Sequence, residues 1–241
     1  MPSVPSRVPR LGNPAIADDM KHFEAVIFDL DGTLLDTERV AQEAFITTCE
    51  ELAVAPRMDL LLRCVGAADP IARAVIREGY GPTLDVETFF AAWSRNFTAA
   101  SQVTPALLKE GALVLLDAVA QLGLPMAVAT SSRTAHAVAK LEQAGLLQRF
   151  RTVIGADQVQ RPKPDPEIYL KAAGCLGADP KACLALEDSE YGVRAAHAAG
   201  MTVIQVPDMT QPTADLRALG HIVLASLKDV AGYPFVRENH G

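Results

Sequence analysis

Runs of apolar residues without polar alternation recur along the chain, and between them apolar positions fall at helical spacing. The first run is Ala25-Val26-Ile27-Phe28. Others follow at residues 125–130, 152–155, 182–186 and 202–206, with a weaker one at Ile222-Val223-Leu224. A continuously apolar run of this length reads as a strand buried on both faces of a parallel sheet. Helical patterns at 112–122, 135–145, 166–176 and 191–199 separate the runs. Gly123, Gly145, Gly177 and Gly200 close these patterns, as glycines at helix C-termini do. The alternation predicts an α/β fold: a doubly wound parallel sheet with right-handed crossovers.

One region breaks the alternation. From Thr37 to about Thr104 no buried strand is legible. Val40, Ala44, Phe45 and Cys49 form a helical stripe, as do Ile71, Val75 and Ile76, and then Phe89, Phe90, Trp93 and Phe97. The expected organisation is a flexible tail over residues 1–21, a catalytic core from 22–36 and 105–241, and a helical cap domain inserted at 37–104. An insertion placed just after the first strand should sit over the sheet edge and close on whatever binds there, because lids exclude water. Trp93 and its aromatic neighbours read as the core of that insertion.

Composition narrows the class. The chain has 241 residues, 49% hydrophobic and 21% charged, which suits a globular protein with a real core. A formal net charge of −7 argues against a nucleic acid polymer as partner, since that needs a basic face. The four cysteines, Cys49, Cys64, Cys175 and Cys183, form no Cys-x-x-Cys pair and have apolar neighbours, so they read as buried free thiols. No apolar run reaches the roughly 18 residues of a membrane span. Residues 1–20 carry Pro2, Pro5, Pro9 and Pro14 and do not read as a secretory signal; Met20 offers an alternative start. These features predict a cytoplasmic protein with no membrane partner. Monomer and weak homodimer are not distinguishable.

Four motifs sit at strand ends or between strands. Asp29-Leu30-Asp31-Gly32-Thr33 ends the first strand, at the edge where open α/β sheets bind ligands. Such a string also occurs as a turn, or as the start of a calcium loop, but no series of oxygen ligands follows it here. Thr130, with Ser131 and Ser132, ends a second strand. It reads either as a phosphate site at a helix N-terminus or as an ordinary N-cap. Arg161-Pro162-Lys163-Pro164-Asp165-Pro166 holds one lysine on a stiff loop, with Asp165 able to cap the next helix and Pro166 at its first position. A fixed ammonium suits a carboxylate nucleophile and a transferring phosphoryl group. Leu186-Glu187-Asp188-Ser189 puts adjacent acids at another strand end, which suits Mg²⁺ or a helix cap.

In this order the four motifs resemble those of the haloacid dehalogenase (HAD) superfamily, in its helical-cap branch. The likeness covers roughly residues 22–230 and is nearest to β-phosphoglucomutase-like enzymes and to sugar-phosphate or nucleotide phosphatases. The resemblance implies a Rossmann-like core, Asp29 as nucleophile forming an aspartyl-phosphate, and Asp31 as acid and then base. It implies Mg²⁺ held by Asp29, the backbone carbonyl of Asp31 and Asp188, with Glu187 a ligand or just behind the ligands. Thr130, Ser131 and Lys163 would bind the phosphoryl group, and Ser132 and Arg133 would meet the leaving group. The implied partner is a small phosphorylated metabolite, a sugar phosphate or a nucleoside monophosphate.

Within this superfamily, Asp31 argues against a dehalogenase, and the absence of lysine from residues 37–104 argues against a phosphonatase. A phosphosugar mutase is the main rival. The mutase pattern has a cap histidine where Ala41 stands and an arginine where the loop Gly66-Ala67-Ala68-Asp69 has its acid. Both departures favour a phosphatase, with Arg63 and Arg73 as possible substitutes for the missing arginine. A non-catalytic phosphometabolite-binding protein on the same fold is the alternative of another class.

Overall fold

The structure is a computed structural model that describes residues 23–103 and 107–232; the tail expected over 1–21 lies outside the described residues. Six parallel strands form the main sheet: β1 (Ala25–Phe28), β4 (Met126–Ala129), β5 (Thr152–Ile154), β6 (Cys183–Glu187), β7 (Thr202–Gln205) and β8 (Ile222–Val223). Their spatial order is β5-β4-β1-β6-β7-β8, so the chain winds outward both ways from β1. The doubly wound parallel sheet expected from the apolar runs is present, with strand limits within two residues of the runs.

Each central strand is buried on both sides because helices cover both faces. Val26 and Phe28 point into a layer with Leu115, Leu116, Leu141 and Leu227, contributed by α5 (Ala112–Gln121), α6 (Thr134–Gln143) and α10 (Leu227–Ala231). Ala25 and Ile27 point the other way, against Ile168, Tyr169, Val193 and Leu216 from α7 (Glu167–Leu176), α8 (Glu190–Ala198) and α9 (Ala214–Arg217). The period-two alternation of a strand thus feeds two cores rather than one core and solvent. Gly123, Gly145, Gly177 and Gly200 all have positive φ, as the helix ends predicted.

Between β2 (Leu35–Asp36) and β3 (Leu107–Leu108) the chain forms α1 (Glu38–Glu51), α2 (Met58–Cys64), α3 (Asp69–Tyr80) and α4 (Val86–Val103). These helices share their own apolar cluster around Phe45, Leu60, Ile76 and Phe89. Trp93 packs edge-on against Phe45 and Phe89, with centroids 5.3 and 6.0 Å away. β2 and β3 pair antiparallel, Leu35 opposite Leu108, and bring the two chain crossings together. This two-residue pairing and helix α2 carry too few residues to show a period, and the sequence reading missed both.

The cysteines are free, but they are not uniformly buried: Cys49 and Cys183 are buried, Cys64 is half-buried and Cys175 is exposed. On α7 the buried stripe is Ile168, Tyr169, Ala172, Ala173 and Leu176, which leaves position 175 on the outer face. Among the described residues no helix is long and apolar enough to cross a membrane.

Candidate active site

Strands β4, β1 and β6 are neighbours and end at the same sheet edge. Asp29 follows β1, Thr130 follows β4, and Glu187 is the last residue of β6, with Asp188 next. The Asp29 N–H donates to the Leu186 carbonyl at 2.9 Å, continuing the ladder through the first motif residue. The third motif reaches the same place from the loop before α7. There the Asp165 N–H donates to the Pro162 carbonyl, and Asp165 Oδ1 accepts from the Glu167 N–H, both at 3.0 Å. Asp165 caps the helix as expected, but α7 begins at Glu167, so Pro166 precedes its first turn.

Lys163 closes the cluster. Its Nζ lies 2.6 Å from Asp29 Oδ1 and 2.5 Å from Glu187 Oε1, with 1% of its side chain exposed. An ammonium this deeply buried is tolerated only because carboxylates flank it. Burial pulls the Lys163 ammonium down, and the charges of Asp29 and Glu187 outweigh it, holding it above the ordinary lysine range.

Glu187 is saturated with donors. Oε1 accepts from Lys163 and, at 2.7 Å, from the Tyr169 hydroxyl. Oε2 accepts from the Asp188 and Ser189 N–H groups at 3.1 Å and from Ser189 Oγ at 3.0 Å. Ser189 Oγ in turn accepts from the Gly192 N–H, so it caps α8 as the motif predicted.

Asp188 accepts from Thr33 Oγ1 at 3.2 Å, and its carbonyl accepts from Gln205 Nε2 at 2.8 Å. Gly32 has φ +85°, and a Cβ there would lie 2.4 Å from Asp188 Oδ2, so the turn after the Asp pair needs glycine on both counts.

Carboxylate oxygens of Asp29, Glu187 and Asp188 come within 4.8 Å of one another, and all three residues are buried. Three carboxylates therefore face one ammonium. Burial pushes Asp29 up to about 8, against the pull of Lys163 and with a further push from Glu187. Burial, with the charges of Glu187 and Asp29, carries Asp188 well above the ordinary range too. A buried all-oxygen cluster with charge left uncompensated is the donor set of a hard divalent cation.

The carboxylate of Asp31 is not in that cluster. Lys140 Nζ lies 2.6 Å from Asp31 Oδ1, and Ser132 Oγ donates to Oδ2 at 2.7 Å. Burial would raise this carboxyl, but the charge of Lys140, with hydrogen bonds from Lys140, Ser132 and Thr37, holds it below the usual carboxylate range. Ser131, expected on the phosphoryl group, instead donates to the Gly66 carbonyl of the helical insertion at 2.9 Å. Thr130 does not cap α6: Thr130 Oγ1 accepts from the Ser132 N–H at 3.1 Å, and Asp157 Oδ1 takes the N–H of Thr134, the first helical residue, at 2.7 Å.

A cavity of about 560 Å³ opens beside Asp31, between α4 of the insertion and α6 of the core. Trp93 and Phe97 form one wall, and His136, Lys140 and Ser132 form the other. Exposed Arg133 lines an adjoining cavity of about 790 Å³.

Sequence reasoning missed Tyr169, Gln205 and Lys140, and it placed Thr33 in the first motif without its contact to Asp188. Tyr169 had a signal: a phenol in an apolar stripe needs a partner for its hydroxyl. Lys140 had none, since a lysine late in an amphipathic helix is ordinary surface chemistry.

The profile of the haloacid dehalogenase-like hydrolase family matches residues 26–206, which spans all four motifs. A phosphorylated carbohydrates phosphatase of Thermotoga maritima is 34% identical over 180 residues, 74% of this chain and 82% of the relative. The fructose-1-phosphate phosphatase YqaB of Escherichia coli is 31% identical over 198 residues, 77% of this chain and 97% of the relative. The crystal structure of CbbY from Rhodobacter sphaeroides in complex with phosphate superposes with a TM-score of 0.72 at 26% identity, over 86% of this chain and 96% of that one. By the match over most of its length and by these relatives, the chain belongs to the haloacid dehalogenase-like hydrolase family.

Proposed function

We propose that this protein is a Mg²⁺-dependent phosphatase that hydrolyses a small sugar phosphate or nucleoside monophosphate through a phosphoryl group carried on Asp29. The observation that carries the reading is the pairing of Asp29 with Lys163 inside a buried carboxylate cluster, with Thr130 on the adjoining strand end. Relatives named for phosphorylated carbohydrates and for fructose 1-phosphate support this class of leaving group.

Asp29 and Asp188, with the backbone carbonyl of Asp31, would hold the cation. When bound, it supplies positive charge that lets both carboxylates stay ionised and neutralises phosphoryl oxygens. We assign Glu187 to holding Lys163 rather than to the metal, because both its oxygens already accept protein donors.

In the first step an Asp29 oxygen bonds to phosphorus, the bond to the leaving oxygen breaks, and Asp31 gives that oxygen a proton. In the second, water attacks the same phosphorus, Asp31 takes the water proton, and Asp29 is released with inorganic phosphate. Lys163 and Thr130 hold phosphoryl oxygens in both steps. Lys140 holds Asp31 ionised in the free enzyme, which suits the base role; a phosphate dianion arriving beside it favours proton uptake for the acid role.

The helices between β2 and β3 act as a cap in this reading. The Ser131–Gly66 hydrogen bond joins cap to core, and Gly66, with φ +68°, sits so close to Ser189 that a Cβ would fall 2.3 Å from it.

The ion pairs of the two candidate arginines support the phosphatase over the mutase. Arg63 is paired with Glu78 at 2.8 Å, and Arg73 with Asp69 and Glu87 at 2.7 Å. The test is phosphate release from p-nitrophenyl phosphate and from panels of sugar phosphates and nucleoside monophosphates, with Mg²⁺ or with EDTA. Mg²⁺-dependent release is expected. Conversion of β-glucose 1-phosphate to glucose 6-phosphate without release would favour the mutase, and silence in both would favour the non-catalytic protein.

A further inference from the structure

The four motifs leave unused a half-buried charged group that touches Asp31. Lys140 lies on α6, between Ala137 and Leu141 of its buried stripe, and its side chain is 20% exposed. Its ammonium contacts Asp31 Oδ1 at 2.6 Å and Ser132 Oγ at 3.4 Å, and it stands over the Phe97 ring, 5.3 Å from the centroid. It is the one Lys or Arg among the described residues that lines the cavity beside Asp31.

We propose that Lys140 is a positioning residue: with Ser132 on the opposite oxygen, it holds the Asp31 carboxylate at the mouth of the leaving-group cavity and away from the Asp29–Asp188 cluster. The geometry supports this on three counts. The two oxygens of Asp31 have separate partners, so the plane of the carboxylate is fixed as well as its place. Both partners come from the chain that follows β4, so they move with the core. The Phe97 contact ties the ammonium to the cap helix, so the clamp is complete when cap and core are together. Without Lys140, Oδ1 loses its ion-pair partner, and the hydroxyl hydrogen bonds that remain hold the plane of the carboxylate less firmly. A proton donor out of line with the leaving oxygen then loses its contribution.

This inference rests on the reading of Asp31 as the acid for the leaving oxygen, and the experiment separates the two. The variants are Lys140→Met, Lys140→Arg and Asp31→Asn. The readout is kcat/KM, which reports loss of the leaving group, for p-nitrophenyl phosphate and for the sugar phosphate that wild type hydrolyses fastest. The p-nitrophenolate oxygen is a far weaker base than a sugar alkoxide and needs little proton donation.

Lys140→Met is expected to lower kcat/KM for the sugar phosphate by roughly 10–100-fold, part of the 10²–10⁴ that a placed acid supplies. The fall for p-nitrophenyl phosphate is expected to be about tenfold smaller, and Lys140→Arg recovers most of the sugar-phosphate loss. Thermal unfolding of each variant controls for folding. If Asp31→Asn is selective for the sugar phosphate and Lys140→Met is not, the proposal fails while the role of Asp31 stands. If Lys140→Met lowers both substrates equally, its role is structural and the proposal fails. If Asp31→Asn is not selective, the acid reading itself fails and takes the proposal with it.

Discussion

Replacing Asp29 by Asn should destroy turnover and yet stabilise the metal-free protein. The carboxyl is buried, shares its surroundings with Glu187 and Asp188, and is pushed from 3.8 up to about 8. The folded protein keeps this proton up to about pH 8, while the unfolded chain releases it near 3.8, so stability falls as pH rises through that window. At about 1.4 kcal/mol per unit, holding that proton at pH 7 costs the fold roughly 4 kcal/mol. Asparagine removes that load but gives up a charge-assisted bond to Lys163, worth about 1.5–3 kcal/mol. The net gain is roughly 1–3 kcal/mol, and at about 2–4 °C per kcal/mol the variant should melt about 2–10 °C above wild type. The assay is thermal unfolding in EDTA at a series of pH values from 4 to 9. At the acid end the load is absent and the lost bond remains, so the variant should be about 1–3 kcal/mol less stable than wild type there. It should then overtake wild type as pH rises, with an advantage that grows up to about pH 8 and levels. Mg²⁺ should narrow it, since an ion at 100 times its Kd adds about 2.7 kcal/mol to the form that binds it. An advantage that does not grow with pH, or a variant less stable than wild type throughout, would refute the reasoning.

Two further substitutions probe the support behind the cluster. Tyr169→Phe removes a fully buried hydroxyl from Glu187 and should cost about 1–3 kcal/mol in denaturant unfolding, with the fold unchanged by circular dichroism. Gly192→Ala puts a Cβ 1.7 Å from Glu187 Oε1, so the carboxylate must move and Lys163 with it. Its expected signature is a destabilisation of about 1–3 kcal/mol together with a fall in kcat of roughly 10²-fold, seen by parallel melting and steady-state kinetics.

Much of the fold was legible because burial on both faces leaves a plain mark. Ala25–Phe28 and Cys183–Glu187 are apolar at nearly every position, and only a central parallel strand demands that. The meeting of Asp29, Lys163 and Asp188 was legible for a related reason: each follows a strand or a proline-stiffened loop that leads to one sheet edge. What stayed hidden depends on side-chain direction. No spacing says that Ser131 turns to the Gly66 carbonyl, or that Asp31 turns to Lys140, 109 positions along the chain. Glu187 reads as a metal ligand by its position. Its five donors were not legible, and one of them, the Tyr169 hydroxyl, comes from a residue whose neighbours all look like core.

The central claim is that Asp29 carries the phosphoryl group. The most direct test is acid-quenched mass spectrometry of the Asp31→Asn protein, mixed with Mg²⁺ and its best substrate, because slowing the second step lets the intermediate build up. A single phosphoryl adduct on the peptide bearing Asp29, absent from Asp29→Asn, is the predicted result. Continued phosphate release with no adduct on Asp29 at any quench time would contradict the account.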